Sequence, residues 1–458
     1  MIGRFGFEST SSRPLMIPDT RLTSSHPTTP ITRRRSLGAV GALGAAAWLG
    51  AAGPARAQFE VEVRGVGLTQ RPFAVAAFTG RGLSDTPVDQ IVVADLERSG
   101  FFRHVVVNGE ALDENKRPDL TPWRGLGVDA LVTGSVNKLA DGRWDVRYRL
   151  WDVVKGEDLG GVSFPVPAND LRLAAHKVAD SVYEKLTGDP GVFSTRIAYV
   201  TKRQNRYALW VADADGQNAQ AALNSPEPII SPTWSPDGRR LAYVSFESRK
   251  PVIYAHTVAT GERQLVANFR GSNSAPAWSA DGKRIVATLT LAGHSQIYSV
   301  DLASNQPERL TDSISIDTEP VWTKDGQFLY FVSDRGGSPQ IYRMSALGGA
   351  PKRVTFTGNY NVSPDVSPDG KTLVYVSRVN GAFRIHAMDL ESGAVRALTN
   401  TRDDESPSFA ANGKLIVYAT RVEGQEALMT TTVDGRIRSR LAGSSGDIRE
   451  PAWGPFRP

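Results

Sequence analysis

Through the last two-thirds of the chain, apolar and polar positions alternate in short runs: "IAYVT" from Ile197, "LAYVS" from Leu241, "IVATL" from Ile285, "LYFVS" from Leu329, "LVYVS" from Leu373 and "IVYAT" from Ile416. A period of two places alternate side chains on opposite faces of an extended strand. Before these runs stand Asp237-Gly238, Asp281-Gly282, Asp325-Gly326 and Asp369-Gly370, each 44 residues from the last, and Asn412-Gly413 follows after 43. Asp-Gly and Asn-Gly close tight hairpins. Upstream of each pair lies Pro-x-Trp or a relative: Pro232/Trp234, Pro276/Trp278, Pro320/Trp322, Pro364/Val366 and Pro407/Phe409, with Pro451/Trp453 last. A third strand recurs ("ALWVAD", "VIYAHT", "QIYSVD", "QIYRMS", "RIHAMD", "ALMTTT") and a short fourth follows it ("RQLV", "ERLT", "KRVT", "RALT").

Four strands per repeat at constant spacing predict a β-propeller, and the pieces count to six blades. The tryptophans are expected as flat fillers between neighbouring sheets. The first repeat begins at Ile197 without its own Pro-x-Trp strand, whereas the last Pro-x-Trp, at Trp453, has no blade after it. Joining the two ends closes a ring and covers strand edges that an open solenoid would expose.

The pattern before Gly188 is different. "PFAVAAF" (Pro72 to Phe78) reads as a buried strand. A helix follows, with Thr86 as N-cap, Pro87 in the first turn, Val88, Ile91, Val92 and Leu96 on one face, and Ser99-Gly100 as its end. Val128–Val136 and Arg143–Val153 read as strands around Asp141-Gly142, and Asp170–Gly188 as a second helix burying Leu171, Ala174, Val178, Val182 and Leu186. The expected organisation is therefore two-domain: a small α/β domain over 71–188, a linker over 189–196 and an all-β six-bladed propeller over 197–458.

Charge changes the picture only at the N-terminus. The net charge of +5 and pI near 9.3 suggest an anionic partner, but seven arginines against Glu8 and Asp19 in residues 1–57 account for the excess, leaving 46 basic and 46 acidic residues after them. Nucleic acid is not an expected partner of a balanced chain. The basic leader reads as an export signal: "TRRRSLG" from Thr32, an Ala/Gly/Leu run from Leu37 to Ala52, then "ARA" ending at Ala57 and cleavage before Gln58. Arg33-Arg34 with Leu37 resembles a twin-arginine signal, and Met16 is an alternative start. As a membrane span the run is weak in transfer free energy and spoiled by Pro54 and Arg56, so no membrane insertion is expected. No cysteine occurs, which excludes disulfides and thiolate chemistry.

Catalytic arrangements are missing. There is no Gly-x-Ser-x-Gly, HExxH or phosphate-binding loop, and His104, His176, His256, His294 and His386 lack the spacing of paired metal ligands. "GLGVDA" (Gly125 to Ala130) precedes a strand rather than a helix, and "DADG" (Asp213 to Gly216) lacks the later ligands of a calcium loop. No cofactor or metal is expected. Asp317, Glu319, Asp404 and Glu405 read as polar groups lining one face of the ring.

"IVVADLERSGFFR" (Ile91 to Arg103), "GVDALVTGSV" (Gly127 to Val136), "YEKLTGDPGVFSTRIAYVT" (Tyr183 to Thr201) and "SPTWSPDGRRLAYVSFES" (Ser231 to Ser248) resemble the TolB family of the Tol-Pal system of Gram-negative bacteria. The likeness spans Gln58 to Pro458. It implies a periplasmic, monomeric, non-enzymatic scaffold that binds a Pal-like peptidoglycan-associated lipoprotein at the propeller mouth and a TolA-like inner-membrane protein through its mature N-terminus, maintaining the outer membrane and its constriction at division. The Pal-facing residues it implies are Ser272, Asn273, Ala275, Thr318, Glu319, Asp404 and Glu405; Ser272 stands where some relatives carry histidine. The TolA-facing segment is 58–70, with Phe59, Val61 and Val63 alternating with Glu60 and Glu62 as a strand that can add to a sheet edge. A propeller gating a hydrolase, as in the prolyl oligopeptidase family, would need a further large domain after Trp453, and a small-ligand or glycan-binding propeller stays open.

Overall fold

A computed structural model describes residues 70–107, 111–441 and 447–457. The export signal, its cleavage site and the TolA-facing Phe59, Glu60, Val61, Glu62 and Val63 lie outside the described residues. Among the described residues no helix is long and apolar enough to cross a membrane.

The N-terminal part is a five-stranded mixed sheet. Its strands β1 (Arg71–Val75), β2 (Phe102–His104), β3 (Ala130–Lys138), β4 (Trp144–Asp152) and β5 (Glu157–Val166) run in the order β2-β1-β3-β4-β5. β1 is parallel to β2 and β3, and β3, β4 and β5 form an antiparallel meander. Helices α1 (Val88–Arg98) and α3 (Leu171–Thr187) cover one face, because the strand period sends Phe73, Val132, Val146 and Tyr148 towards Val92, Leu96, Val178 and Val182. Ala74, Leu131 and Trp151 take the other face, beside Leu120 and Trp123 at the short α2 (Thr121–Gly125).

One cap differs from expectation. Thr86 makes no side-chain capping bond; Pro87 occupies the cap position and Asp89 supplies the acidic first turn, a placement that the missing proline N–H tolerates because first-turn donors have no helical partner. Gly188, at φ +81°, ends α3 in the left-handed conformation common after helix C-termini.

The remaining strands form six four-stranded antiparallel sheets. Blade 1 combines Asp447–Trp453 from the C-terminus with β6 (Arg196–Arg203), β7 (Arg206–Asp213) and β8 (Gln220–Ser225). The tail strand pairs antiparallel with β6, Trp453 opposite Ile197 and Ala452 opposite Ala198. Head and tail thus close the ring within one sheet. Blades 2 to 6 follow in order, with inner strands Ile229–Trp234, Asn273–Trp278, Asp317–Trp322, Asn361–Val366 and Glu405–Phe409.

The repeated residues explain the geometry. In blade 2 the Asp237 carboxylate accepts the Ser235 hydroxyl at 2.5 Å and the Arg239 amide at 3.0 Å, while Gly238 takes φ +67°. The same turn recurs at Asp281, Asp325 and Asp369. Tryptophans stitch neighbouring blades: the Trp278 indole donates to the Thr233 carbonyl at 3.2 Å, and the Trp234 indole to the Ala452 carbonyl at 3.2 Å. Arg240 and Arg196 stack over these two rings at 4.6 and 4.9 Å.

Candidate functional site

Each inner strand breaks its ladder at one place. The residue before the conserved-spacing proline adopts a left-handed backbone in all six blades: Ser231, Ala275, Glu319, Ser363, Ser406 and Glu450 have φ between 48° and 54°. The register shifts there in every sheet. Proline cannot donate to the ladder, so it falls naturally in a bulge. A left-handed non-glycine residue costs on the order of 1–3 kcal/mol, and such strain collects at binding sites. Six of them surround a cavity of about 380 Å³ at one end of the propeller axis.

The mouth of that cavity is acidic. Glu319, Glu405 and Glu450 line it, with Asp365 deeper. Glu319 Oε2 accepts the Ser363 amide at 2.6 Å, Glu450 accepts the Ser231 amide, and Asp365 Oδ2 accepts the Phe409 amide at 2.7 Å. Each of these bonds crosses from one blade to the next, so the carboxylates also bolt the ring. Glu405 Oε1 is buried without a partner. Loss of hydration raises Glu319 and Glu405 above the usual carboxylate range, pushes Asp365 up to about 6, and lifts Glu450, which also feels Glu405 and Glu319, to about 7. A second cavity, of about 280 Å³, opens at the other end between Trp234, Trp278, Trp322 and Trp453; the two share Thr233, Ala277, Val321, Asp365, Ser408 and Ala452 as a waist.

The raised Glu450 makes a testable prediction. A carboxyl protonated more easily in the folded state weakens folding above its unfolded value, and the penalty is complete once pH exceeds about 7. Glu450→Gln, whose amide oxygen still accepts from Ser231, should melt higher than wild type at pH 8 and equal to it near pH 4, as read by thermal denaturation across pH.

The loops leading into the inner strands form the rim. The Gln296 side chain donates to the Ser313 and Ser315 carbonyls at 2.8 and 3.0 Å, and Gln340 to Gly358 at 3.3 Å. Above these pins Ile314, Ile316 and Phe356 stand in water, 87, 55 and 72 % exposed. Large apolar side chains held out by pinned loops favour a partner surface.

The seven mouth candidates divide by position within the strand. Ala275 and Glu319 occupy the left-handed ring; Thr318 and Glu405 stand one place before it, half-buried, and Ser272 donates its amide to the Thr290 hydroxyl at 2.7 Å. Asn273 and Asp404, two places before the ring, turn inward, as do their equivalents Asp317 and Asn361. The Asn273 amide is spent on the Pro251, Phe269 and Gly271 carbonyls, and Asp404 accepts the hydroxyls of Thr399, Thr401 and Thr420. Asp317 pairs with Arg335 at 2.8 Å rather than lining the ring. These four pin the rim and offer no free polar group to the mouth. Ser231, Ser363, Ser406 and Glu450 were missed, although their place before proline at the same spacing marks them.

The TolB amino-terminal domain model matches residues 59–159, and the TolB beta propeller domain model matches residues 183–457. The Tol-Pal system protein TolB of Albidiferax ferrireducens is 75 % identical over 404 residues, 88 % of this chain and 95 % of its own. That of Polaromonas naphthalenivorans is 72 % identical over 429 residues, 94 % and 99 % of the two chains. The crystal structure of TolB from Acinetobacter baumannii superposes with a TM-score of 0.79 at 40 % identity, covering 84 % of this chain and 97 % of that one. With both domain models matched and the near-complete relatives sharing one name, the chain belongs to the TolB family and is a component of the Tol-Pal system.

Proposed function

We propose that the protein is a periplasmic, non-catalytic scaffold whose propeller mouth docks a Pal-like lipoprotein and whose N-terminal segment, 58–70, pairs with a TolA-like inner-membrane protein. Through these contacts it maintains outer-membrane integrity and supports envelope constriction at division. The observation that carries the reading is the ring of six strained, non-glycine backbones around an acidic, concave mouth, rimmed by pinned loops that expose Ile314, Ile316 and Phe356. Strain and exposed apolar surface both cost stability, and a docked partner recovers part of that cost by covering them.

In this reading Ser272, Ala275, Thr318, Glu319 and Glu405 belong to the docking surface, and Asn273 and Asp404 act on it through the loops they hold. Reversing charge at Glu319 and Glu405 together to lysine should weaken capture of the purified lipoprotein by about tenfold or more, the loss typical of central interface residues. The paired glutamine variant, which keeps shape and removes charge, should fall between. Wild-type affinity in a folded double variant, measured by titration calorimetry, would remove these residues from the site.

A further inference from the structure

His176 lies on α3 with its side chain 1 % exposed. Its Nδ1 sits 2.6 Å from Oδ2 of Asp95 on α1, and its Nε2 points the other way, 3.9 Å from Oδ2 of Asp213 at the end of β7. Nε2 is buried and has no hydrogen-bond partner. One ring therefore stands between a carboxylate of the α/β domain and a carboxylate of the first blade.

The charged groups around it form a chain. Asp95 is held by Arg98 on α1 at 2.5 Å. Asp213 is held by Arg172 on α3 at 3.2 Å and by Arg457 of the C-terminal tail at 3.5 Å, and Arg172 also pairs with Asp215. Asp180, on the same face of α3, is occupied by the Phe193 and Ser194 amides, and Asp170 precedes α3 near Arg457. His176, Asp213 and Asp215 have the spacing of metal ligands, yet the guanidinium of Arg172 already occupies both carboxylates. The cluster is built for protons and cations of its own.

We propose that His176 is a proton-operated latch between the α/β domain and blade 1: as an imidazolium it joins Asp95 to Asp213, and on losing the Nε2 proton it lets the junction loosen. In the neutral form Nδ1 keeps its proton for Asp95, and Nε2 becomes an acceptor facing a carboxylate that is also an acceptor, so attraction turns to repulsion. Burial works against the charged ring, but Asp95, Asp215 and Asp213 outweigh it and hold the imidazole above its ordinary value of 6.5. The sign follows: the contribution is complete below 6.5 and disappears as pH rises through the raised value.

The test uses the full chain. Because it contains no cysteine, single cysteines at exposed Lys177 and Gln217 can carry spin labels on α3 and on the turn after β7. Wild type should give one narrow distance distribution at pH 6, broadening at pH 8.5, with the equilibrium shifting by up to about tenfold per pH unit as one proton is lost. His176→Gln should give the same distribution at both pH values. If that variant fails to fold, Asp213→Asn, which leaves the Asp95 contact intact, should also remove the pH response. A ring that NMR shows neutral throughout pH 5.5–8, or a pH response that survives either substitution, would overturn the latch.

Discussion

Deleting Pro451 to Pro458 should lower the melting temperature by about 10 °C or more and abolish lipoprotein capture. The tail contributes Ala452 and Trp453 to blade 1, where they pair with Ala198 and Ile197. Trp453 is buried, and its indole donates to the Thr195 hydroxyl at 2.8 Å. Replacing one buried tryptophan by alanine costs about 3–5 kcal/mol, and for domains of this size each kcal/mol shifts melting by about 2–4 °C. Truncation also removes ladder bonds, the acceptor of the Trp234 indole at Ala452 and the neighbour that positions Glu450. The exposed edge of β6 would then be open to pairing with other chains. Trp453→Ala alone should show the lower end of the loss in denaturant unfolding with the mouth still assembled. A truncated chain that melts and binds as wild type would mean that the ring is not closed by this strand.

The adjacent residues Asp404 and Glu405 should behave in opposite ways. Asp404 is buried under three threonine hydroxyls. Asp404→Ala strands those donors and should cost about 3 kcal/mol, since hydrogen bonds to charged groups contribute about 1.5–3 kcal/mol and buried partners are left unmade. Glu405 is different: one of its oxygens has no partner, and lost hydration already disfavours its charge. Glu405→Ala should change stability by less than about 1 kcal/mol, as expected away from any strongly coupled group, while weakening lipoprotein binding. Equilibrium unfolding combined with binding calorimetry on both variants separates a pin from a docking residue. Equal stability losses would show that the two carboxylates share one role.

The propeller was legible because its signals repeat: a period of two within strands, Asp-Gly turns at constant spacing, and two incomplete ends that complement one another. The α/β domain was read in part. β1, β3, β4, α1 and α3 announced themselves through continuous or periodic apolar runs. β5 did not, because "EDLGGVSFPV" is broken by Gly160-Gly161 and Pro165. Gly161 is required there by packing, since a Cβ would lie 1.8 Å from the Tyr148 carbonyl oxygen, and such a constraint belongs to the partner strand rather than to local pattern. β2, with three residues, and α2, with five, are too short to show a period.

The mouth was legible only as a neighbourhood. Proline marked the ring position, but a strand turns its next residue to the opposite face, and the bulge adds a further offset. Glu319 and Asp317 are two residues apart, yet one lines the channel and the other is buried against Arg335. The junction around His176 gave no signal at all: Asp95 is 81 residues away and Asp213 lies in another domain. Only the fold brings them together.

The central claim, that the acidic end of the propeller is the docking face, is tested most directly by photocrosslinking in the native envelope. Crosslinkers at Ser272 and Thr318 report on the acidic mouth, and crosslinkers at exposed Ala280 and Lys324 report on the opposite opening. Mass spectrometry should find the Pal-like lipoprotein joined to the first pair and absent from the second. Adducts from Ala280 and Lys324 alone would place the partner at the wrong end of the channel and contradict the account.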